Sequence, residues 1–267
     1  MKFKNVLIAS DFDGTLKNDS GEVTADVIEA IRCFKDNGGY FTLSTGRTYQ
    51  GLTLYDNSVF NAPALLANGA MAYDFNSKEI VFFDGLYEEG KDAVRKLHER
   101  FPEISIEMYP FDDTYAINLT EESEKHFTNQ GIIFNVVDSP DGVPLPWAKV
   151  MLGCPAGLSA DVQRFIAEKL KDVSYLPTTG SFVEIVKKGV NKGSGLLKLA
   201  DCLGVKKKDV YAVGDGYNDT DMLTAASAAF VPCNGSSEAL SCASYVVRSN
   251  NDGAVKNVIE ILDTIYK

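Results

Sequence analysis

The stretch SDFDGTL, residues 10–16, places two acids directly after an apolar run. Residues 6–9 are all apolar, and a short run of this kind before a polar turn predicts a buried strand. Carboxylates beside a core are costly unless they are paired or bind a cation. Asp11 and Asp13 therefore indicate a site at the carboxyl end of this strand.

The same succession of apolar runs and amphipathic segments recurs at both ends of the chain. Helical spacing of apolar residues covers residues 24–37, 195–203 and 255–265. Short apolar runs typical of strands cover residues 41–44, 64–67, 210–213, 228–231 and 245–247. This order predicts an α/β fold with a Rossmann-like, doubly wound parallel sheet and helices on both faces.

The middle of the chain has a different character. About 150 residues separate Thr45 from Lys192, whereas one strand–helix–strand crossover needs about 30. Helices are predicted at residues 88–100, 121–129 and 159–170, and strands at residues 104–108, 115–119 and 149–152. We therefore expect a core made of residues 1–84 and 185–267, with an inserted α+β domain at residues 85–184.

The composition limits the partners and the compartment. The net charge of −11 argues against nucleic acid or an anionic membrane as the main partner. Five scattered cysteines without a CxxC pair indicate reduced thiols. The sequence contains no apolar run of about 18 residues, so we expect no transmembrane helix. We expect a cytoplasmic protein, a monomer or weak homodimer, with both histidines (His98 and His126) on the surface.

Polar residues follow several of the predicted strands, and ligands of open parallel sheets bind at the carboxyl ends of the strands. Three or four carboxylates at one point repel each other by roughly 4 kcal/mol per pair at about 4 Å and an effective dielectric constant of about 20. They therefore need a cation, and oxygen ligands without histidine or cysteine favour Mg²⁺. The residues at these ends are Asp11, Asp13, Thr45, Asp215, Asn218 and Asp219.

A magnesium site of this kind usually serves phosphate chemistry. Lys192 would supply a cation, and Thr45-Gly46-Arg47 would offer a hydroxyl at a helix N-terminus, where anions bind. Gly14 would permit a tight turn whose N–H groups face the phosphate. Taken singly, such residues have ordinary explanations as helix caps, surface charges or turn formers. Their combination is what points to a phosphoryl-transfer site.

Four segments together resemble the motifs of the haloacid dehalogenase superfamily. They are DFDGTL at residues 11–16, TGR at 45–47, Lys192, and GDGYND at 214–219. Their order and spacing resemble the Cof-type sugar-phosphate phosphatases of that superfamily over the whole chain. NGA at residues 68–70 and NNDG at 250–253 are similar to the same branch.

The resemblance implies a role for each motif residue. Asp11 would be the nucleophile that forms an aspartyl-phosphate, and Asp13 the general acid and base. Mg²⁺ would be held by the Asp11 side chain, the Asp13 carbonyl, Asp215 and Asp219, the last directly or through water. Lys192 would assist catalysis by holding phosphoryl oxygens. The residues that would bind or adjoin the phosphate are Gly14, Thr45, Gly46, Arg47 and Asn218.

The inserted domain resembles the cap that covers the site and selects the substrate in this branch. Glu184 resembles an acid near the end of the cap, although it would equally suit a plain strand position. Four aromatic residues of the insert would either stack on a sugar or fill the core of the insert. These residues are Tyr109, Phe111, Tyr115 and Trp147.

The predicted function is Mg²⁺-dependent hydrolysis of small phosphorylated metabolites, foremost sugar phosphates, through an aspartyl-phosphate. One alternative is a phosphotransferase or mutase acting on sugar phosphates. Another is a phosphatase of a different small phosphomonoester, such as a nucleotide or pyridoxal phosphate. A catalytically silent metal- or phosphate-binding regulator is a third, against which the intact Asp11, Asp13, Lys192 and Asp215 argue.

Overall fold

The computed structural model describes residues 1–177 and 181–266. The chain forms two compact units, each with its own core. The core unit comprises Met1–Gly46, Asp56–Phe82 and Asn191–Lys267, and the insert unit comprises Arg47–Tyr55 and Phe83–Val190.

Arg47–Tyr55 lies in the insert unit, as do residues 83–84 and 185–190, although the sequence analysis placed all three segments in the core. The Gln50 amide explains the position of Arg47–Tyr55. Its nitrogen donates to the carbonyl of Asp112, and its oxygen accepts from the backbone N–H of Ile133 at 3.0 Å. Contacts with residues more than 60 positions away thus bind this short helix to the insert.

The core unit is built on a five-stranded sheet with the order β14-β13-β12-β1-β2, in which all neighbouring strands are parallel. Leu65 of strand β3 forms a parallel bridge with Ser44, the residue after β2, and β3 forms a second sheet with β4 and β5. The strands are β1 (Leu7–Ser10), β2 (Tyr40–Leu43), β3 (Ala64–Leu66), β4 (Met71–Asp74), β5 (Glu79–Phe83), β12 (Val210–Val213), β13 (Ala228–Pro232) and β14 (Tyr245–Val247).

Helices cover both faces of this parallel sheet. Leu7 and Ala9 pack in one apolar cluster with Leu196 and Met222, which lie on α6 and α7. Ile8 points to the opposite face because side chains alternate along a strand. Helices α1 and α9 of the same unit pack against each other. The helices are α1 (Ala25–Asp36), α6 (Lys192–Cys202), α7 (Thr220–Ala225), α8 (Ser237–Ser241) and α9 (Ala254–Ile265). The predicted doubly wound α/β fold is confirmed.

The insert unit contains a six-stranded sheet with the order β10-β11-β9-β6-β7-β8. One face packs apolar side chains against α3 and α5, and the other face packs against α4. The strands are β6 (Ser105–Tyr109), β7 (Tyr115–Ile117), β8 (Asn135–Val136), β9 (Lys149–Gly153), β10 (Val173–Pro177) and β11 (Phe182–Lys187). The helices are α2 (Tyr49–Thr53), α3 (Glu88–Arg100), α4 (Glu121–Gln130) and α5 (Ser159–Lys169).

Several side chains of the insert are more deeply placed than their sequence context indicated. Trp147 and Tyr109 are fully buried, so both fill the interior of this unit. The prediction of a surface position for His126 is wrong, because its ring nitrogen Nδ1 lies 3.0 Å from the buried carboxylate of Glu107. Because lysine and glutamate residues are frequent around His126, the sequence did not indicate that one face of α4 packs on the sheet.

No helix within the described residues combines the length and apolar character that crossing a bilayer requires. The five cysteines, all within the described part of the chain, are free thiols.

Candidate active site

The carboxyl ends of β1 and β12 bring two of the predicted acids to one edge of the core sheet. Ser10 pairs in register with Val213, and the Asp11 N–H donates to the Val213 carbonyl at 2.8 Å. Asp215 follows two residues after Val213. The parallel register therefore places Asp11 and Asp215 side by side although 204 positions separate them in the sequence.

A buried lysine lies between two of the carboxylates. Lys192 is 0% exposed, and its Nζ donates to Asp11 Oδ1 at 2.5 Å and to Asp219 Oδ1 at 2.6 Å. It is the first residue of α6, whose start is fixed because Asn191 and Ser194 cap one another. The helix start thus delivers the ammonium group to the end of the sheet.

Burial controls the protonation of this cluster. Desolvation raises the pKa of Asp11 to about 8, and the Asp219 and Asp215 charges add to the rise while Lys192 opposes it. Burial also raises the pKa of Asp215, although a hydrogen bond from Thr15 opposes that shift. Desolvation alone would lower the pKa of Lys192, but Asp11 and Asp219 outweigh it and hold that pKa above its usual value. The cluster therefore favours a charged lysine and disfavours further negative charge.

Asp219 also fixes the glycine-rich turn after β12. Its Oδ2 accepts from the N–H groups of Asp215 at 3.0 Å and Gly216 at 2.8 Å. A Cβ atom at Gly214 would lie 2.5 Å from Asp219 Cγ, so only glycine fits there. Both oxygens of Asp219 are therefore engaged, one with Lys192 and one with the turn.

The turn that follows Asp11 packs against Asp215. Thr15 Oγ1 donates to Asp215 Oδ1 at 2.5 Å. Gly14 has a φ of 81°, and a Cβ atom there would lie 2.7 Å from Asp215 Oδ2. Glycine is thus required for both the backbone conformation and the close approach. The Asp13 side chain is half exposed and pairs with Lys17 at 3.1 Å.

The predicted phosphate-binding residues Thr45, Gly46 and Asn218 meet around Asn68. The Thr45 carbonyl accepts from the Asn68 N–H at 2.9 Å, and Asn68 Oδ1 accepts from Asn218 Nδ2 at 3.1 Å. A Cβ atom at Gly46 would lie 3.3 Å from the Asn68 amide nitrogen. Asn68 is buried in an αL conformation at the end of β3 and connects two of the motifs.

Arg47 belongs to the insert unit. Its guanidinium lies 5.2 Å from the centre of the Tyr55 ring and donates to the Gly51 carbonyl at 3.4 Å. The other nine predicted site residues lie in the core unit.

Three of the carboxylates could share one metal ion. Asp11, Asp215 and Asp219 each offer an oxygen within 4.8 Å of the others. Oxygen donors of this kind suit Mg²⁺. A divalent cation would also balance three carboxylates that face one ammonium group, so the residues present fit the ion.

Sequence reasoning missed some residues that shape this site. Asn234 Nδ2 donates to the Gly14 carbonyl at 3.0 Å, and Thr15 holds Asp215. Asn234 follows β13, so the rule that found polar residues after strands would have found it as well. Thr15 carried no comparable signal, because a hydroxyl within a turn is common.

The sequence profile described as haloacid dehalogenase-like hydrolase matches residues 8–259. The chain belongs to this family. It is 30% identical over 268 residues to YxeH of Bacillus subtilis, which is named as a candidate phosphatase, with 96% of this chain and 97% of that protein covered. It is 24% identical to YitU of Bacillus subtilis, named 5-amino-6-(5-phospho-D-ribitylamino)uracil phosphatase, with 97% and 98% covered.

A solved structure shares the fold of this haloacid dehalogenase-like hydrolase. It is a haloacid dehalogenase-like hydrolase from Bacteroides thetaiotaomicron with a TM-score of 0.85 and 24% identity, covering 98% of this chain and 99% of that one. The predicted family and the predicted enzyme class, a phosphatase-type hydrolase, are confirmed by these matches.

Proposed function

We propose that this hydrolase is a Mg²⁺-dependent phosphatase of small phosphorylated metabolites, foremost sugar phosphates, and that it forms an aspartyl-phosphate on Asp11. The observation that carries the proposal is the buried cluster in which Lys192 lies between Asp11 and Asp219, with Asp215 beside them. A nucleophilic carboxylate, a fixed cation and a second group of oxygen ligands are the parts that phosphoryl transfer requires.

In the first step, an Asp11 carboxylate oxygen attacks phosphorus while the bond from phosphorus to the ester oxygen breaks. The Asp13 carboxyl group donates its proton to that ester oxygen, and the alcohol leaves. Asp13 suits this role because half of its side chain is exposed, whereas the side chains of Asp11 and Asp219 are buried against Lys192. The products of the step are the alcohol, the Asp11 aspartyl-phosphate and an ionised Asp13.

In the second step, ionised Asp13 accepts a proton from a water molecule whose oxygen attacks phosphorus. The bond from phosphorus to Asp11 breaks, which releases inorganic phosphate and regenerates the Asp11 carboxylate and the protonated Asp13. Lys192 remains fixed by Asp219 throughout and offers its charge to the transferred group.

The chain's own residues would hold the ion and the phosphoryl oxygens. Asp11, Asp215 and Asp219, with the Asp13 carbonyl, would bind Mg²⁺, which supplies positive charge that polarises a phosphoryl oxygen. The residues proposed to contact or adjoin the phosphate are Gly14, Thr45, Gly46, Arg47, Asn218 and Lys192.

The insert unit is proposed to select the leaving group. The phosphate-binding residues would contact the phosphate group, which all substrates share. Discrimination between substrates must therefore come from groups that contact the leaving group. The name of YitU describes a substrate with a phosphorylated sugar-alcohol chain, which supports testing polyol phosphates beside the sugar phosphates.

The proposal includes a cytoplasmic monomer or weak homodimer. Five free thiols support a reducing compartment. Size-exclusion chromatography with light scattering tests the oligomeric state.

The decisive experiment measures phosphate release from a panel of phosphorylated metabolites with Mg²⁺ and with excess EDTA. We expect release with Mg²⁺ and none with EDTA. Asp11→Asn should abolish turnover, and Asp13→Asn should slow it by about 10²–10⁴-fold. Asp201→Asn, at an exposed acid of the same unit, is the matched control. Full turnover in EDTA or in Asp11→Asn would refute the proposal, and transfer to a sugar acceptor without free phosphate would indicate a phosphotransferase.

A further inference from the structure

A second lysine lies at the edge of the proposed site and pairs with the proposed acid. Lys17 Nζ is 3.1 Å from Asp13 Oδ1, and the two residues are four positions apart. The Lys17 side chain is only 9% exposed, whereas that of Asp13 is 50% exposed. The Lys17 side chain is therefore packed into the protein, while half of the Asp13 side chain is exposed.

The side chain of Lys17 is held by its surroundings. Its Nζ lies 4.8 Å from the centre of the Phe12 ring, a distance at which a cation is attracted to an aromatic face. Phe12 is itself buried. Most surface ion pairs hold two mobile side chains, whereas this pair has one partner packed into the protein.

The backbone of the turn is held as well. The Lys17 carbonyl accepts from Asn250 Nδ2 at 3.1 Å, and the Gly14 carbonyl accepts from Asn234 Nδ2 at 3.0 Å. The two asparagines are joined because the Asn250 N–H donates to Asn234 Oδ1 at 2.9 Å. One bridge of two asparagines thus fixes the turn at Gly14 and at Lys17, on either side of Thr15.

We propose that Lys17 is a positioning residue that fixes the orientation of the Asp13 carboxyl group for both proton transfers. The inference rests on the proposed function, in which Asp13 gives a proton to the leaving alcohol and later takes one from water. Removing the Lys17 ammonium would take away one contact that restricts the rotamers of the half-exposed Asp13 side chain, so Asp13 would spend less time in the orientation that reaches the reacting oxygen.

The two half-reactions with p-nitrophenyl phosphate separate this role from a structural one. In the first, Asp11 attacks phosphorus and p-nitrophenolate leaves as the anion, so no proton from Asp13 is needed. In the second, Asp13 must take a proton from the attacking water before phosphate leaves Asp11. Misplacing Asp13 should therefore slow the second half-reaction far more than the first.

The experiment compares Lys17→Met and Lys17→Arg with wild type in the presence of Mg²⁺, by stopped-flow detection of p-nitrophenolate. We expect Lys17→Met to release a rapid burst of about one product per enzyme, as expected when a covalent intermediate accumulates. The steady-state rate should then be about 10–10²-fold slower than in wild type, the loss expected from a misplaced catalytic group. Lys17→Arg should recover most of that rate. Lys256→Met, which breaks a surface pair with Asp26 at 3.0 Å in the same unit, is the matched control.

The outcomes distinguish the two proposals. A wild-type enzyme that releases no phosphate overturns the proposed function, and this inference with it. If wild type is active and Lys17→Met keeps its steady-state rate, the positioning role is wrong. An equal loss in burst and steady-state rates, or a shift of the unfolding midpoint that accounts for the lost activity, would assign Lys17 a structural role only and also overturn the inference.

Discussion

Replacing Lys192 by methionine should destabilise the core unit in the absence of metal. The lysine is fully buried and pairs with Asp11 at 2.5 Å and with Asp219 at 2.6 Å. Methionine keeps much of the volume but removes the charge, which leaves two buried carboxyl groups without the ammonium group that both of them contact. Breaking a buried ion pair in this way costs about 3–5 kcal/mol. For a domain of about 150–250 residues this corresponds to a melting temperature lower by roughly 6–20 °C.

The assay is urea unfolding in EDTA followed by far-UV circular dichroism. The fluorescence of Trp147, the single tryptophan, follows the insert unit in the same samples. Lys207→Met, at an exposed lysine of the same unit, should change the free energy of unfolding by less than about 0.5 kcal/mol. Mg²⁺ should stabilise Lys192→Met more than wild type, because a cation bound among the carboxylates replaces part of the missing charge. A loss below about 1 kcal/mol in EDTA would show that the buried pairs do not carry the energy assigned to them.

Two further predictions concern the pH dependence of the metal-free protein and the interior of the insert. Burial raises the pKa of Asp11 to about 8, whereas the pKa of an aspartate in the unfolded chain is about 4. Between these two pH values the folded protein therefore binds more protons than the unfolded chain. The free energy of unfolding in EDTA should therefore fall as the pH rises from about 5 to about 8, and urea titrations of Asp11→Asn should show a smaller slope. Trp147→Ala should cost about 3–5 kcal/mol, measured by urea unfolding with circular dichroism, because the fully buried ring fills the insert; an unchanged midpoint would contradict this.

The site residues that could be predicted from the sequence are those that directly follow the carboxyl end of a strand. Asp11 and Asp215 each come after a short apolar run, and parallel strands end at one edge of a sheet, so their meeting followed from the order of elements. Lys192 could be placed at a helix start, but its two carboxylate partners could not be chosen from the sequence. The contact depends on how α6 packs against the sheet.

Other features depended on contacts that no local pattern reveals. Arg47–Tyr55 lies in the insert unit because Gln50 bonds to residues far along the chain. The bond between Asn68 and Asn218 joins two loops 150 positions apart. Single polar residues in turns have many local partners available, so the sequence alone does not indicate which of them will bond across the fold.

The separation of 181 positions between Lys192 and Asp11 has a consequence for synthesis of the chain. Strand β1 pairs with β2 on one side and with β12 on the other. The hydrogen bonds between β1 and β12 can therefore form only after residues 210–213 have been synthesised. At about 5–20 residues per second, the ribosome needs roughly 10–40 s to make the chain between the two partners. During that time the nascent Asp11 has no buried cation beside it. The cluster of Asp11, Lys192, Asp215 and Asp219 can therefore form only after residue 219 has been synthesised.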